Sequence, residues 1–317
     1  MNMTDTLREA IRAKLPELDL VLAWGVDGPL RGAPLFIRSE ADLENLADPF
    51  LCVTNPAVYL YGLRSKKVGV VVKGCDSRSV IQLLKEGLVQ RESLYLFGLP
   101  CQGVVDQAKI LRECPDAGRA TVLEEDNGRV VVHTDAGECS LDRNTVLADR
   151  CQRCRYPNPL IYDELVGEPL ATPEIAQPYA DLDSFEALSL EERHDFWMET
   201  MRRCIRCYAC RNACPMCVCR LHCVADSRES HWLTQETTMN QKWFFQVLHS
   251  LHLAGRCTEC GECERACPMG LPILLMRRKI NREIKDLFGF EAGLDLATVP
   301  PLQTFSIEEE KISEREL

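Results

Sequence analysis

Two stretches decide how this chain is read: Cys204-Ile205-Arg206-Cys207-Tyr208-Ala209-Cys210-Arg211-Asn212-Ala213-Cys214-Pro215 and Cys257-Thr258-Glu259-Cys260-Gly261-Glu262-Cys263-Glu264-Arg265-Ala266-Cys267-Pro268. Each is C-x2-C-x2-C-x3-C-P, the spacing that wraps a cubane iron–sulfur cluster. Such a cluster needs four soft, deprotonated sulfurs in a small volume. Three cysteines at steps of three on a tight loop reach three irons of one cube. The fourth is expected to open a helix and ligate the other cluster, as in two-cluster ferredoxins. The expected sets are therefore Cys204, Cys207, Cys210 and Cys267 for one [4Fe-4S] cluster, and Cys257, Cys260, Cys263 and Cys214 for the second. Pro215 and Pro268 lack an N–H and limit the helix just begun.

Zinc is a poor alternative, because zinc sites use paired C-x2-C hooks rather than four cysteines closing on C-P. A disulfide framework needs an oxidising compartment. The start, Met1 to Thr6, shows neither a basic nor an apolar leader region, so a cytoplasmic location is expected. No apolar run has the length of a membrane span. The net charge of −11 argues against a nucleic-acid surface. With 18 cysteines in 317 residues, the composition suits a redox protein, and oxygen-labile clusters suit anaerobic metabolism.

The insert between the motifs, Met216 to Arg256, is long and reads helical from Thr237-Thr238-Met239 through Leu253, with Gly255 placed as a helix-ending glycine. In this respect the region resembles the α-helical ferredoxins of succinate dehydrogenase and heterodisulfide reductase iron–sulfur subunits. That resemblance implies a linear relay inside a larger complex.

The first half has a different pattern. Thr6 to Glu9 is a capping box for a first helix ending near Pro16, and Leu20 to Trp24 reads as a strand. Lys67 to Val72 is a buried strand leading into Gly74-Cys75-Asp76, then an amphipathic helix through Val80, Leu83, Leu84 and Leu88. Ser93 to Phe97 is the next strand and ends in Gly98-Leu99-Pro100-Cys101-Gln102. This βαβ unit makes the two strands parallel. Cys75 and Cys101 then share the carboxyl edge of the sheet, where open α/β sheets bind ligands. A hairpin with an Asn127-Gly128 turn follows, then the hook Cys151-x2-Cys154.

Gly74-Cys75, Gly98-Leu99-Pro100-Cys101-Gln102 and the later Cys151-x2-Cys154 resemble the beta subunits of F420-reducing hydrogenases and F420-dependent formate dehydrogenases. With the ferredoxin-like part, the resemblance covers most of residues 68–270. It implies a third [4Fe-4S] cluster on Cys75, Cys101, Cys151 and Cys154, and an FAD exchanging hydride with the deazaflavin. Two readings of the flavin stay open. The family holds one without depending on a G-x-G-x-x-G fingerprint, yet this α/β part is short for both FAD and a deazaflavin. No flavin contact is assignable from the residues.

Other readings of the cysteines also stay open. Cys75 and Cys101 are alternatively small buried residues, and Cys151 with Cys154 a redox pair or part of a zinc site. Cys217, Cys219 and Cys223 either ligate a further cluster with Cys151 and Cys154 or pack near the first cluster and tune it. Cys52, Cys114 and Cys139 read as structural, and His222 and His252 as surface or packing residues. Trp197 reads as core. Ile273 to Leu287 is a basic amphipathic helix closed by Gly289, whose Arg277-Arg278-Lys279 either guides an acidic partner or forms a solvated face.

The expected fold is an α/β domain with a parallel-containing sheet (1–157), a linker (158–188), a mostly α-helical two-cluster ferredoxin domain (189–290) and a C-terminal tail (291–317), whose charged stretch Glu308 to Leu317 is either disordered or draped over a neighbouring subunit. The expected function is electron transfer within a cytoplasmic oxidoreductase complex of hydrogenase, formate dehydrogenase or heterodisulfide reductase type. Partners would be a catalytic subunit and a ferredoxin or heterodisulfide reductase-like subunit, with the catalytic centre elsewhere. A flavoenzyme and a non-catalytic cluster-based sensor or assembly protein are the alternatives.

Overall fold

The computed structural model describes residues 3–219, 223–225, 233–305 and 307. His222 and the last ten residues lie outside them. Helix α1, Met3–Lys14, buries Thr4, Leu7 and Ile11 at helical spacing. It begins before the capping box read from the sequence, so Thr6 is inside the helix. Strand β1, Leu20–Val26, pairs antiparallel with β2, Gly32–Ile37, which the sequence reading missed. Strand β3, Val68–Val72, runs parallel to β1 and to β4, Leu94–Gly98. Helix α2, Gly74–Lys85, makes the crossover between β3 and β4.

Alternation along β3 and β4 sorts their side chains onto two covered faces. Val71 and Phe97 pack with Trp24 of β1 and with Leu7 and Ile11 of α1. Val70, Val72 and Leu96 face the other way and pack with Val80 and Leu83 of α2. Parallel strands buried on both sides read as unbroken apolar runs, which is why β3 was legible. Full burial of each such side chain contributes about 1.5–3 kcal/mol.

Helix α3, Gln107–Glu113, precedes a separate antiparallel sheet of β5, Ala120–Asp126, β6, Arg129–Thr134, and β7, Gly137–Asp142. The first two form the expected hairpin; β7 is additional, half-exposed and rich in polar residues.

The segment 158–188 is not a bare linker. Its residues Glu164–Leu165 form β8, parallel to β4, completing the order β2-β1-β3-β4-β8. Its end forms helix α4, Ala180–Glu186. Helix α5, Leu190–Arg203, starts at the expected capping box: the Ser189 hydroxyl accepts from the Glu192 N–H at 3.2 Å, and the Glu192 carboxylate accepts from the Ser189 N–H at 2.8 Å. Helix α6, Met239–Leu251, begins at the Thr238 cap, and α7, Ile273–Phe288, ends at Gly289 with φ 62°.

The helical part packs on the α2 face of the sheet. Phe245, Leu253, Ile273 and Leu274 share one apolar core with Val70, Val72 and Val80. A polar seam reinforces this contact. Arg78 of α2 donates to the carbonyls of Thr258 at 3.2 Å and Ala292 at 2.8 Å, and Arg256 pairs with Glu86. No helix among the described residues is long and apolar enough to cross a membrane.

Candidate metal centres

The two cysteine loops share a backbone as well as a spacing. In the first, Arg206 and Tyr208 have φ of 51° and 61°; in the second, the matching Glu259 and Gly261 have 57° and 74°. A left-handed conformation costs a non-glycine residue about 1–2 kcal/mol. Three such residues held at matched positions mark a fold imposed twice for the same purpose. Each loop then enters one turn of helix, Ala209–Asn212 and Glu262–Arg265. The third cysteine of each motif lies inside that turn and the fourth just after it. The expectation that the fourth cysteine opens a helix is therefore corrected: it closes one, with the Cys214 N–H donating to the Arg211 carbonyl and the Cys267 N–H to that of Glu264.

Cys204, Cys207, Cys210 and Cys267 line a single small cavity with Tyr208, Phe245 and Gln246. The Gln246 amide lies 3.7 Å from the Cys204 sulfur and 4.0 Å from that of Cys210. Burial pushes the Cys210 thiol up to about 11. Cys207 is exposed, so this cavity lies at the protein surface.

Cys257, Cys260, Cys263 and Cys214 are mutual electrostatic neighbours deeper in the protein. Burial pushes Cys257 and Cys260 up to about 12 and raises Cys263 further. Cys214 is raised by its hydrogen bond with Cys217 and by burial.

The third expected set is assembled from four separate places. Cys75 sits in the first turn of α2, directly after β3, and Cys101 lies just past β4. The edge placement read from the βαβ unit is thus observed. Cys151 sits in the helical turn Asp149–Gln152, and Cys154 follows it. The chain after Cys154 crosses the start of α2 so closely that a Cβ on Gly74 would lie 1.8 Å from the Tyr156 carbonyl oxygen. Only glycine fits there, and the crossing draws Cys154 toward Cys75. Past β4, the Cys101 N–H donates to the Pro157 carbonyl at 2.8 Å. Cys75, Cys151 and Cys154 border one cavity; Cys101, Cys151 and Cys154 border the adjoining cleft of about 560 Å³.

Backbone N–H groups already point at two of these sulfurs, Gly103 to Cys101 at 3.3 Å and Val104 to Cys151 at 3.4 Å. Burial raises the Cys75 and Cys154 thiols and pushes Cys101 up to about 11.

Among the described residues, no three His, Cys, Asp or Glu side chains converge as a single ion would need. The donor chemistry fits a polynuclear sulfur-ligated group instead: all-sulfur sets, N–H donors aimed at sulfur, and buried cations beside them.

Comparison with known proteins adds independent support. Residues 200–271 match the model of the 4Fe-4S dicluster domain family. The F420-dependent formate dehydrogenase subunit beta of Methanocaldococcus jannaschii is 25% identical, covering 96% of this chain and 94% of the relative. The F420-dependent formate dehydrogenase 1 subunit beta of Methanococcus maripaludis is 25% identical, covering 89% and 88%. The similarity to these beta subunits extends over nearly the whole chain. A chain of the F420-reducing [NiFe] hydrogenase complex from Methanosarcina barkeri matches at 16% identity, with a TM-score of 0.38, covering 49% of this chain and 58% of that one.

The sequence reading missed the burial of three cations beside these cysteines. Lys73 is 2% exposed, pairs with Asp76 at 2.8 Å and faces Cys75, Cys52 and Cys101. Arg150 donates to the Cys260 carbonyl at 2.6 Å and lies near Cys151 and Cys75, so it stands between the third and second sets. Arg277 lies near Cys263, Cys214, Cys257 and Cys210. The reading of Arg277 and Arg278 as a solvated face is overturned, since both are 2% exposed. Arg278 is taken up by Asp181 and Glu259.

Cys217 touches the His249 ring at 3.1 Å beside Cys214, and the Cys223 sulfur accepts from Arg211 at 3.3 Å. Trp197 joins Phe185, Phe196 and Trp243 in an aromatic group.

Proposed function

We propose that the chain is an iron–sulfur electron-transfer subunit of a cytoplasmic oxidoreductase complex, with its substrate-converting centre on a partner subunit. When bound, each cubane supplies one-electron transfer. Cys204, Cys207, Cys210 and Cys267 would hold one, Cys214, Cys257, Cys260 and Cys263 the second, and Cys75, Cys101, Cys151 and Cys154 a third. The observation that carries this reading is the repeated loop: the same cysteine spacing and left-handed backbone at the same positions.

Two buried arginines support a serial order of the three sets. Arg150 lies between the third set and Cys260 of the second, and Arg277 between the second set and Cys210 of the first. The exposure of Cys207 supports access of a partner to the first set. On this reading the α/β part (1–157) holds one end of the series and the helical part (189–290) the other.

The relatives are named for F420, and a second reading gives this chain an FAD that exchanges hydride with such a carrier. The cleft of about 560 Å³ beside Cys101, Cys151 and Cys154 favours it, lined by Gln102, Gly103, Arg143 and Asn144. Anaerobic purification from the native host separates the readings. Co-purification of a large redox subunit and broad iron–sulfur absorbance without flavin support the relay alone. A stoichiometric flavin released on denaturation favours the second reading. A chain that purifies alone and exchanges no electrons with any redox partner contradicts both.

A further inference from the structure

Arg277 has no ordinary reason to be where it is. It is the fifth residue of α7, on the face turned into the protein, and is 2% exposed. Among the described residues no carboxylate lies within ion-pair distance of it, although Glu264 feels its field from farther away. Its Nε has no hydrogen-bond partner. A buried, uncompensated cation costs several kcal/mol. Its neighbour Arg278 avoids that cost with Asp181 and Glu259; Arg277 has nothing comparable.

What surrounds Arg277 is sulfur. Cys263, Cys214 and Cys257 of the second set and Cys210 of the first all lie within its electrostatic reach. On its other side, Nη2 lies 2.9 Å from His249 Nδ1, and His249 Nε2 lies 3.1 Å from the Cys217 sulfur. Burial and then Arg277 hold His249 neutral. With Nδ1 accepting from the guanidinium, Nε2 carries the proton and donates to Cys217. Cys217 in turn is hydrogen-bonded to Cys214. One guanidinium therefore acts electrostatically on sulfurs of both sets and is linked to the second through the His249 imidazole and Cys217.

We propose that Arg277 is the shared counter-cation of the two dicluster-domain centres, a tuning residue that raises the reduction potentials of both. The inference rests on the cluster reading above. Reduction adds a negative charge to a group that already carries thiolates, and a fixed cation in a low-dielectric setting favours the more negative state. Lying between the two sets, it also lessens their mutual repulsion when both are reduced.

The test is an EPR-monitored redox titration of the full chain, purified anaerobically, as wild type, Arg277→Gln and Arg277→Lys, with iron counted in each. The expected result is lower potentials for both dicluster-domain signals in R277Q and near-wild-type values in R277K, at equal iron content. Loss of iron in R277Q with retention in R277K also supports the counter-cation role, since R277K keeps the positive charge that R277Q lacks. Unchanged potentials in iron-replete R277Q overturn it. So does an R277K variant that loses iron or shifts as far as R277Q, and so does an equal shift of every signal, including that of the third set. Failure of the underlying reading looks different: wild-type chain holding far fewer than about eight irons, with no cubane signals, sinks the cluster assignment itself.

Discussion

The two loops of the helical part and the scattered set of the α/β part collect sulfur by opposite routes. In the loops, spacing does the work: three cysteines fall within seven residues, and left-handed backbone at Arg206, Tyr208, Glu259 and Gly261 turns them inward. In the α/β part no two neighbouring elements suffice. Cys75 comes from a helix start, Cys101 from beyond a strand end, and Cys151 with Cys154 from a turn that the Gly74 crossing draws across them. A loop site can form from a short piece of chain. The scattered site exists only once the sheet is assembled, so a cluster held there is expected to be more sensitive to the stability of the fold.

The sharpest way to break this comparison is to remove one sulfur from each kind of site. Cys263→Ala deletes a proposed ligand, one that lies in the main apolar core beside Cys214 and Cys257. Iron is expected to fall from about twelve atoms per chain to about eight or fewer, with a measurable loss of thermal stability. Cys101→Ala is expected to remove about four irons and leave both dicluster-domain signals in place. If C101A kept the full iron content, the third set would not be a cluster site.

Next in size is the joint between the two regions. Arg150 pairs with buried Glu262 and caps the Cys260 carbonyl. Arg150→Met removes one of two arginines on Glu262, which keeps Arg265 at 2.8 Å, and also the bond to the Cys260 carbonyl, so the loss is expected at about 1.5–3 kcal/mol, the range of a charge-assisted hydrogen bond. Denaturant melts should show it as a lower midpoint; an unchanged midpoint would mean the two regions are not coupled through this residue.

The smallest effect is expected at Glu291, which receives Arg78 at 3.1 Å, Arg155 at 2.5 Å and the Tyr156 hydroxyl at 2.8 Å. Burial pushes its carboxyl up, but Arg78, Tyr156 and Arg155 outweigh that and hold it below the ordinary glutamate value. A depressed acid contributes stability above its unfolded pKa and loses it as pH falls through the folded one. Glu291→Gln should thus cost about 1–3 kcal/mol at neutral pH, a difference that shrinks below about pH 4. A pH-independent difference would show that the carboxylate's charge is not what matters.

Much of this was legible in the sequence because it was local. The two motifs, the parallel pair β3 and β4, the hairpin, the Ser189 cap and the end of α7 at Gly289 all follow from spacing, alternation or turn chemistry within a few residues. What was missed depends on distant partners. β8 is two residues long and exists only because β4 has an open edge; its proline-rich surroundings read as linker. β7 is an outer strand with little apolar alternation. The burial of Arg277 contradicts every hydropathy signal and makes sense only beside sulfur sets brought from two loops. The third set was suggested by family likeness, and its geometry needs Gly74, Tyr156 and Pro157, none of which signals a metal site alone.

Native mass spectrometry of the anaerobically purified chain tests the central claim most directly, because it counts intact clusters on single molecules. The account predicts a dominant species carrying three Fe4S4 units, reduced to two in Cys101→Ala. A wild-type species that saturates at two units, with C101A indistinguishable from it, would contradict the account.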